Sequence, residues 1–273
     1  MTDLAASPLG HATTYADRYD AALLFPVERA PLRALLGLPD PLPFSGADWW
    51  TAYELSWLDG TGKPQVAIAT LAVPAASPSI VESKSVKLYL TAFNQTPFAS
   101  ADAVAATIGR DLSAAVGMPV AVTLYPPGRF PELPYGELEG ELLDGLPLAG
   151  VATAPAPERL VAAGPVATQA LCTRLFRSVC PVTGQPDYAS VQVRYRGPRI
   201  DAAGLFAYLV SFRRHEGFHE HCVERIFADI WRRCAPEALS VYARFTRRGG
   251  VDINPWRVHG FAPPAANART VRQ

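Results

Sequence analysis

The chain reads as an α+β protein with antiparallel sheets, built from a duplicated half-chain unit. Three observations carry that reading. Residues 61–73 (TGKPQVAIATLAV) are answered by residues 183–195 (TGQPDYASVQVRY), and YLTAF at 89–93 by YLVSF at 208–212, at offsets of 122 and 119 residues. In each half, strand-like runs come first, helix-like runs follow, and strand-like runs return. That order belongs to α+β folds, not to alternating βαβ units. At 273 residues the chain is long enough for each half to bury its own core.

Taken along the chain, residues 1–20 read as a loose arm, and the Pro-rich stretch 24–43 (FPVERAPLRALLGLPDPLPF) as mostly irregular. Each proline there removes a backbone donor and restricts its predecessor. Runs at 65–73, 79–90 and 119–125 are β-branched or alternating and predict strands. Residues 101–116 (ADAVAATIGRDLSAAV) space their apolar side chains by three and four and predict a helix. A Pro- and Gly-rich region at 126–165 joins the copies. In the second half, 166–179, 189–196 and 239–246 read as strands, and 201–213 and 217–233 as helices, the latter bringing His219, Cys222 and Glu224 near one another. The domain reading is an arm at 1–20, a first module at 21–150 and a second at 151–273.

Composition narrows the function classes. Hydrophobic residues make up 49% and charged residues 18%, ordinary for a globular protein. Lys plus Arg equals Asp plus Glu at 25 each, so no strong field favours nucleic acid or an anionic membrane surface. No apolar stretch approaches the roughly 20 residues a membrane span needs, and the N-terminus lacks a signal-peptide pattern. The expected location is the cytoplasm. The four cysteines (Cys172, Cys180, Cys222 and Cys234) form no CxxC pair, and no metal site is expected.

The reactive residues do not recur between the copies. Cys180, three residues before the second TGxP, faces Leu58 in the first copy, and Glu82-Ser83-Lys84-Ser85 faces Asp201-Ala202-Ala203-Gly204. A nucleophile on one half and a charged cluster on the other suggest one composite site. Cys180 sits where a strand gives way to a turn, with Asp187 seven residues on. A thiol beside an acid suits attack on an electrophilic carbon with proton delivery, but a buried cysteine near a turn-capping aspartate reads equally from spacing. Strand alternation would put Glu82 and Lys84 on one face, and Ser83 and Ser85 on the other. Such a run offers a carboxylate to one ligand and hydroxyls plus ammonium to a phosphate, or is a solvated edge. In His219-Glu220-His221-Cys222 the two histidines fall on different helix faces, which leaves too few ligands for a metal; an imidazole and a carboxylate could instead read a heterocyclic base edge. Arg247-Arg248-Gly249-Gly250 could clamp phosphate or be a basic turn. No GxGxxG or P-loop motif occurs.

Four segments in order, VESKSVKLYL (81–90), SVCPVTGQPD (178–187), FHEHCVERI (218–226) and RFTRRGGVDINPWR (244–257), resemble the long, two-module NADPH-dependent 7-cyano-7-deazaguanine (preQ0) reductases, the nitrile reductases of queuosine biosynthesis. The resemblance covers the chain from about Tyr19 to Gln273. It implies two tandem tunnelling-fold (T-fold) modules, with antiparallel sheets and helices packed on one face, in a homodimer. It also implies reduction of the nitrile to the primary amine with NADPH. Cys180 matches the nucleophile that forms a covalent thioimide, and Asp187 the acid that protonates the nitrile nitrogen. Val81, Glu82, Ser83, His219 and Glu220 match groups around the deazaguanine, with His219 a further candidate for proton transfer. Ser83, Lys84, Arg248 and Gly249 match NADPH contacts. The expected partner is the small-molecule substrate, with no nucleic acid and no membrane. Rival readings are a metal-dependent cyclohydrolase of the same fold and an inactive base-binding module.

Overall fold

The structure is a computed structural model and describes residues 16, 18–148, 150 and 152–273. Most of the expected arm at 1–20 therefore lies outside the described residues. Two compact units emerge: one from the described part of Met1–Leu32 with Ala47–Pro134 and Arg247–Ile253, the other from Arg33–Gly46, Tyr135–Thr246 and Asn254–Gln273.

In the first unit, strands β2 (Ser45–Leu58), β3 (Pro64–Pro74) and β5 (Ala121–Tyr125) form antiparallel neighbours in the order β5-β3-β2. Strands β1 (Pro26–Glu28) and β4 (Ser79–Val81) make a small separate pair. Alternation works as the pleat requires: Ala67, Ala69, Leu71 and Val73 of β3 all point into the core. There they meet Val86, Tyr89 and Leu90 of helix α2 (Ser83–Thr91). Helix α3 (Ala101–Val116) adds Val104, Ile108, Leu112 and Val116, one apolar stripe at a spacing of four. Ser100 caps α3 by accepting from Ala103 N at 3.1 Å, and Gly117, at φ +77°, ends it in the left-handed conformation.

One expectation fails here. Residues 79–90 are a strand only to Val81; from Ser83 they are helix α2, so the alternation argument for Glu82 to Ser85 does not hold. The reason is the cap. The Glu82 carboxylate accepts from Lys84 N at 2.7 Å and from Ser85 N at 2.8 Å. Meanwhile Glu82 N donates to Phe25 O, and Phe25 N donates to Ser85 Oγ, tying the helix start to a chain segment some 60 residues upstream. The period-2 look of SVKLYL is overruled by these contacts. The stretch 24–43 is likewise more regular than its prolines imply, holding β1 and the short helix α1 (Ala30–Leu35). Two long strands escaped the sequence reading: β2, and β10 (Val251–His259), whose internal Pro255 argues locally against a strand.

The second unit carries residues 254–259 of β10 beside β9 (Ala238–Phe245), β8 (Pro186–Ile200), β7 (Ala162–Val179) and the two-residue β6 (Glu141–Leu142). All ladders are antiparallel except β6 with β7. Helices α4 (Ala202–Val210) and α5 (His219–Cys234) contribute Leu205, Tyr208, Leu209, Val223, Ile226, Phe227 and Ile230 to its core. Glu224 of α5 does not join His219 and Cys222. It is buried between Arg33 and Arg257, accepting from both guanidinium groups. Removing one partner of such a set leaves a buried charge and costs roughly 3–5 kcal/mol.

The duplication extends into side-chain detail. Helices α2 and α4 have nine residues each, α3 and α5 sixteen each, and the first pair is capped by acids, Glu82 and Asp201. Tyr89 OH donates to Asp111 Oδ2 at 2.7 Å, and Tyr208 OH donates to Asp229 Oδ2 at 2.7 Å, the same tie across the same two helices in each unit. Burial raises both phenols above their ordinary pKa, so each stays a hydrogen-bond donor.

Candidate active site

The two TGxP segments are hairpin turns, β2 to β3 and β7 to β8, and they differ by one residue. Leu58 bridges Pro97, and Val179 bridges Glu216 in the same manner. Asp59 N then donates to Lys63 O across the first turn, whereas Cys180 N donates to Gln185 O across the second. Cys180 therefore occupies the place of Asp59, one residue on from the Leu58 of the sequence alignment, because the second turn holds an extra residue. Gly184, at φ +68°, closes it with a backbone bond to Cys180 O at 3.1 Å. The nucleophile candidate thus sits at the mouth of an enlarged turn. Its residue is 5% exposed.

The second unit gathers four of the candidate residues around this turn. Asp187, on β8, pairs with Ser178 in the β7–β8 ladder, two residues before Cys180. Val179 N donates to His215 O, and Gly217 N to Val179 O, so residues 215–217 lie along the end of β7. Helix α5 starts two residues later, which delivers His219 and Glu220 to the same place. His219 Nε2 reaches Asp187 Oδ2 at 3.2 Å, and both side chains are at least nine-tenths buried. The imidazole lies flat on the Phe245 ring, centroids 3.7 Å apart and planes 3° apart. Register explains the stack: Phe245 pairs with Ala189, and Ala189 and Asp187 share one face of β8. His219 Nδ1 is buried with no hydrogen-bond partner among the described residues. Glu220, in the first turn of α5, is 4% exposed.

Cys222 lies close enough to Ser178 and Asp187 to feel both, while His221 lies elsewhere. His221 lies near His215, ring centroids 6.4 Å apart. Cys222 is fully buried, and desolvation pushes its thiol up to about 12. Burial raises the Cys172 thiol too, and that of Cys234 to about 11, so these three hold their protons at neutral pH. Among the described residues no group of three His, Cys, Asp or Glu side chains is arranged to hold a metal.

The first unit gathers the other candidates. Val81 ends β4, opposite Pro26, and Glu82, Ser83 and Lys84 form the start of α2. Arg248 and Val251 bracket a two-residue hairpin turn, with backbone bonds in both directions. Gly249 and Gly250, at φ +55° and +72°, supply the two left-handed positions such a turn demands. A Cβ at Gly249 would lie 3.1 Å from the flexible end of Lys87 of α2, so this turn lies against the helix that carries Ser83 and Lys84. Ser83, Lys84, Arg248 and Gly249 are brought to one region of the first unit in this way. Lys87, one helical turn after Lys84, joins them. Strand alternation over 79–90 would put Lys84 and Lys87 on opposite faces, whereas helix α2 sets them one turn apart. Phe245 was missed: nothing in the alternation of LSVYARFT marks one apolar side chain as the seat of an imidazole.

Comparison with known proteins identifies the family. Residues 15–124 match the family described as nitrile reductase, 7-cyano-7-deazaguanine-reductase N-term, and residues 186–263 match QueF-like protein. The chain is 55% identical over 271 residues to the NADPH-dependent 7-cyano-7-deazaguanine reductase of Bordetella pertussis (strain Tohama I), covering 99% of each. It is 56% identical over 269 residues to the enzyme of that name from Burkholderia mallei (strain SAVP1), covering 98% of each. A crystal structure of apo archaeosine synthase QueF-Like, 19% identical, aligns with 37% of this chain and 99% of its own at a TM-score of 0.32. With two tandem modules, full-length identity above one half and the expected α+β fold, the chain belongs to the NADPH-dependent 7-cyano-7-deazaguanine reductase family.

Proposed function

We propose that this chain reduces the nitrile of 7-cyano-7-deazaguanine to the primary amine with NADPH, through a covalent adduct on Cys180. The observation that carries the chemical reading is the buried pair of Asp187 and His219, held beside the Cys180 turn by the β7–β8 register and the 215–217 strap. The Cys180 sulfur adds to the nitrile carbon. One C–N π bond breaks, the nitrogen takes a proton from Asp187, and a thioimide results. His219, 3.2 Å from Asp187, orients that carboxyl group and stands next in line to replace its proton. NADPH, when bound, supplies hydride; two equivalents and two protons take the nitrile to the amine. Expulsion of the Cys180 sulfur between the two reductions returns the thiol.

Val81, Glu82, Ser83, His219 and Glu220 are the groups proposed to hold the deazaguanine. Buried carboxylates at Glu82 and Glu220 suit the N–H edge of a guanine-like base, which offers donors to carboxylate oxygens. The donor set of the first unit fits the phosphates of NADPH: Lys84 and Arg248 carry the charge, Ser83 a hydroxyl, and Gly249 permits close approach of backbone. Family resemblance further supports two modules at 21–150 and 151–273, a homodimer and a cytoplasmic enzyme without a nucleic-acid partner. No helix among the described residues is long and apolar enough to cross a membrane.

Intact-protein mass after mixing with 7-cyano-7-deazaguanine, without NADPH, tests the reading. A gain of one substrate in wild type, absent in Cys180→Ala, is expected. No adduct on the folded wild-type protein would overturn it.

A further inference from the structure

Resting on the reductase reading above, a second layer behind the His219–Asp187 pair has a function of its own. Arg244, on β9 next to Phe245, is 1% exposed, and its hydrogen-bond partners among the described residues are neutral side chains. Its Nε donates to Gln273 Oε1 at 2.8 Å and its Nη1 to Tyr242 OH at 2.6 Å and to Asn267 Oδ1, while Nη2 is buried without a partner. The β9–β10 ladder runs from Leu239 with His259 to Tyr242 with Trp256. Beyond it the Gln273 carboxamide spans the two strands. Its Nε2 donates to Phe245 O at 2.7 Å and to Asn254 Oδ1 at 2.7 Å. Its Oε1 also accepts from Thr270 N and Thr270 Oγ1. One side chain thus makes five hydrogen bonds while 5% exposed.

We infer that Gln273 is a positioning residue for the reaction: by holding the Phe245 carbonyl it fixes the ring on which His219 lies, and so the aim of His219 at Asp187. The physical case is that a flat stack tolerates sliding. Aromatic faces define a plane but hold in-plane position weakly, and among the described residues none hydrogen-bonds His219 Nδ1 to pin the imidazole from its other side. The hold must come from the seat. Phe245 is fully buried at the last position of β9, and its carbonyl is anchored by Gln273. The chain of contacts runs from Gln273 to Phe245 O, from the Phe245 ring to His219, and from His219 Nε2 to Asp187 Oδ2.

Gln273→Glu is the informative variant. It keeps the shape and gives Arg244 a carboxylate partner, so the fold retains its support, but it replaces the donor facing Phe245 O and Asn254 Oδ1 with an acceptor. Adduct formation with 7-cyano-7-deazaguanine, followed by intact mass from pH 5 to 9, should slow roughly tenfold, a loss of orientation, and its pH profile should move. The KM for NADPH should stay at the wild-type value. Phe245→Leu, which keeps an apolar residue but removes the flat ring, should give the same change, and the double variant should be no slower than the worse single one. A folded Gln273→Glu enzyme with the wild-type rate and pH profile would overturn the inference. So would multiplied losses in the double variant, since the two residues would then act independently. Absence of any wild-type adduct would instead remove the reductase reading beneath it.

Discussion

His219 Nε2 lies 3.2 Å from Asp187 Oδ2, and the contact joins the first residue of a helix to the second residue of a strand more than thirty positions earlier. Neither residue could place the other locally. Their meeting depends on the β7–β8 register, which pairs Asp187 with Ser178, and on the 215–217 strap bonded to Val179.

If Asp187 supplies the proton for thioimide formation, Asp187→Asn should keep the shape and lose the chemistry. Adduct formation should fall by roughly 10²–10⁴, with the thermal midpoint within a few degrees of wild type. A rate within threefold of wild type, measured by intact mass, would remove Asp187 as the donor.

Glu220→Ala should weaken binding of 7-cyano-7-deazaguanine far more than binding of NADPH, by titration of each ligand separately. The side chain lies at the start of α5 beside His219, whereas the proposed phosphate contacts lie on α2 and the 248–251 turn. Equal losses would make Glu220 structural.

The capping role of Glu82 and its proposed role in substrate binding can be separated. Its carboxylate caps α2 through Lys84 N and Ser85 N, so Glu82→Ala should cost about 1 kcal/mol in chemical denaturation. Glu82→Ser restores a cap without the carboxylate. It should recover most of that stability while leaving substrate affinity impaired; recovery of affinity as well would confine Glu82 to capping.

The two turn glycines should respond unequally. At both φ is positive, so alanine costs on the order of 1 kcal/mol at either. At Gly250 the new Cβ would also land on the Glu54 carboxylate, whereas at Gly249 it meets the flexible end of Lys87. Gly250→Ala should therefore lower the unfolding midpoint more than Gly249→Ala, and the reverse order would contradict the turn as described.

Stability should also carry the signature of His215. Burial, with Arg225 and His221 close by, lowers its pKa from 6.5 to about 4. The folded state resists protonation that the unfolded chain accepts. The contribution is therefore complete above pH 6.5 and is lost as pH falls towards 4. After allowance for solvent at this partly exposed ring, the change is on the order of 1 kcal/mol. Urea midpoints at pH 7 and pH 5 should differ less in His215→Phe than in wild type; an unchanged difference would assign the acid sensitivity elsewhere.

Helix α3 was legible because everything that defines it is local: apolar side chains every three or four residues, Ser100 before and Gly117 after. The turn after Cys180 was legible for the same reason. Helix α2 was not. The letters SVKLYL alternate like a strand, and only the bonds of Glu82 and Ser85 with Phe25 settle the matter in favour of a helix. Strand β10 was hidden by Pro255, which lies just outside the ladder of Trp256–His259 with β9.

Amino-acid order by itself determined the duplication, the α+β class, the family and the identities of the reactive candidates, since these rest on residue types at short spacing. Tertiary structure decided that Cys180 stands where the first copy has Asp59 and that Glu82 begins a helix. It also decided that His219 turns to Asp187 on a seat made by Phe245. Those outcomes depend on contacts between residues tens of positions apart, whose loop-closure entropy is offset only when whole elements pack together.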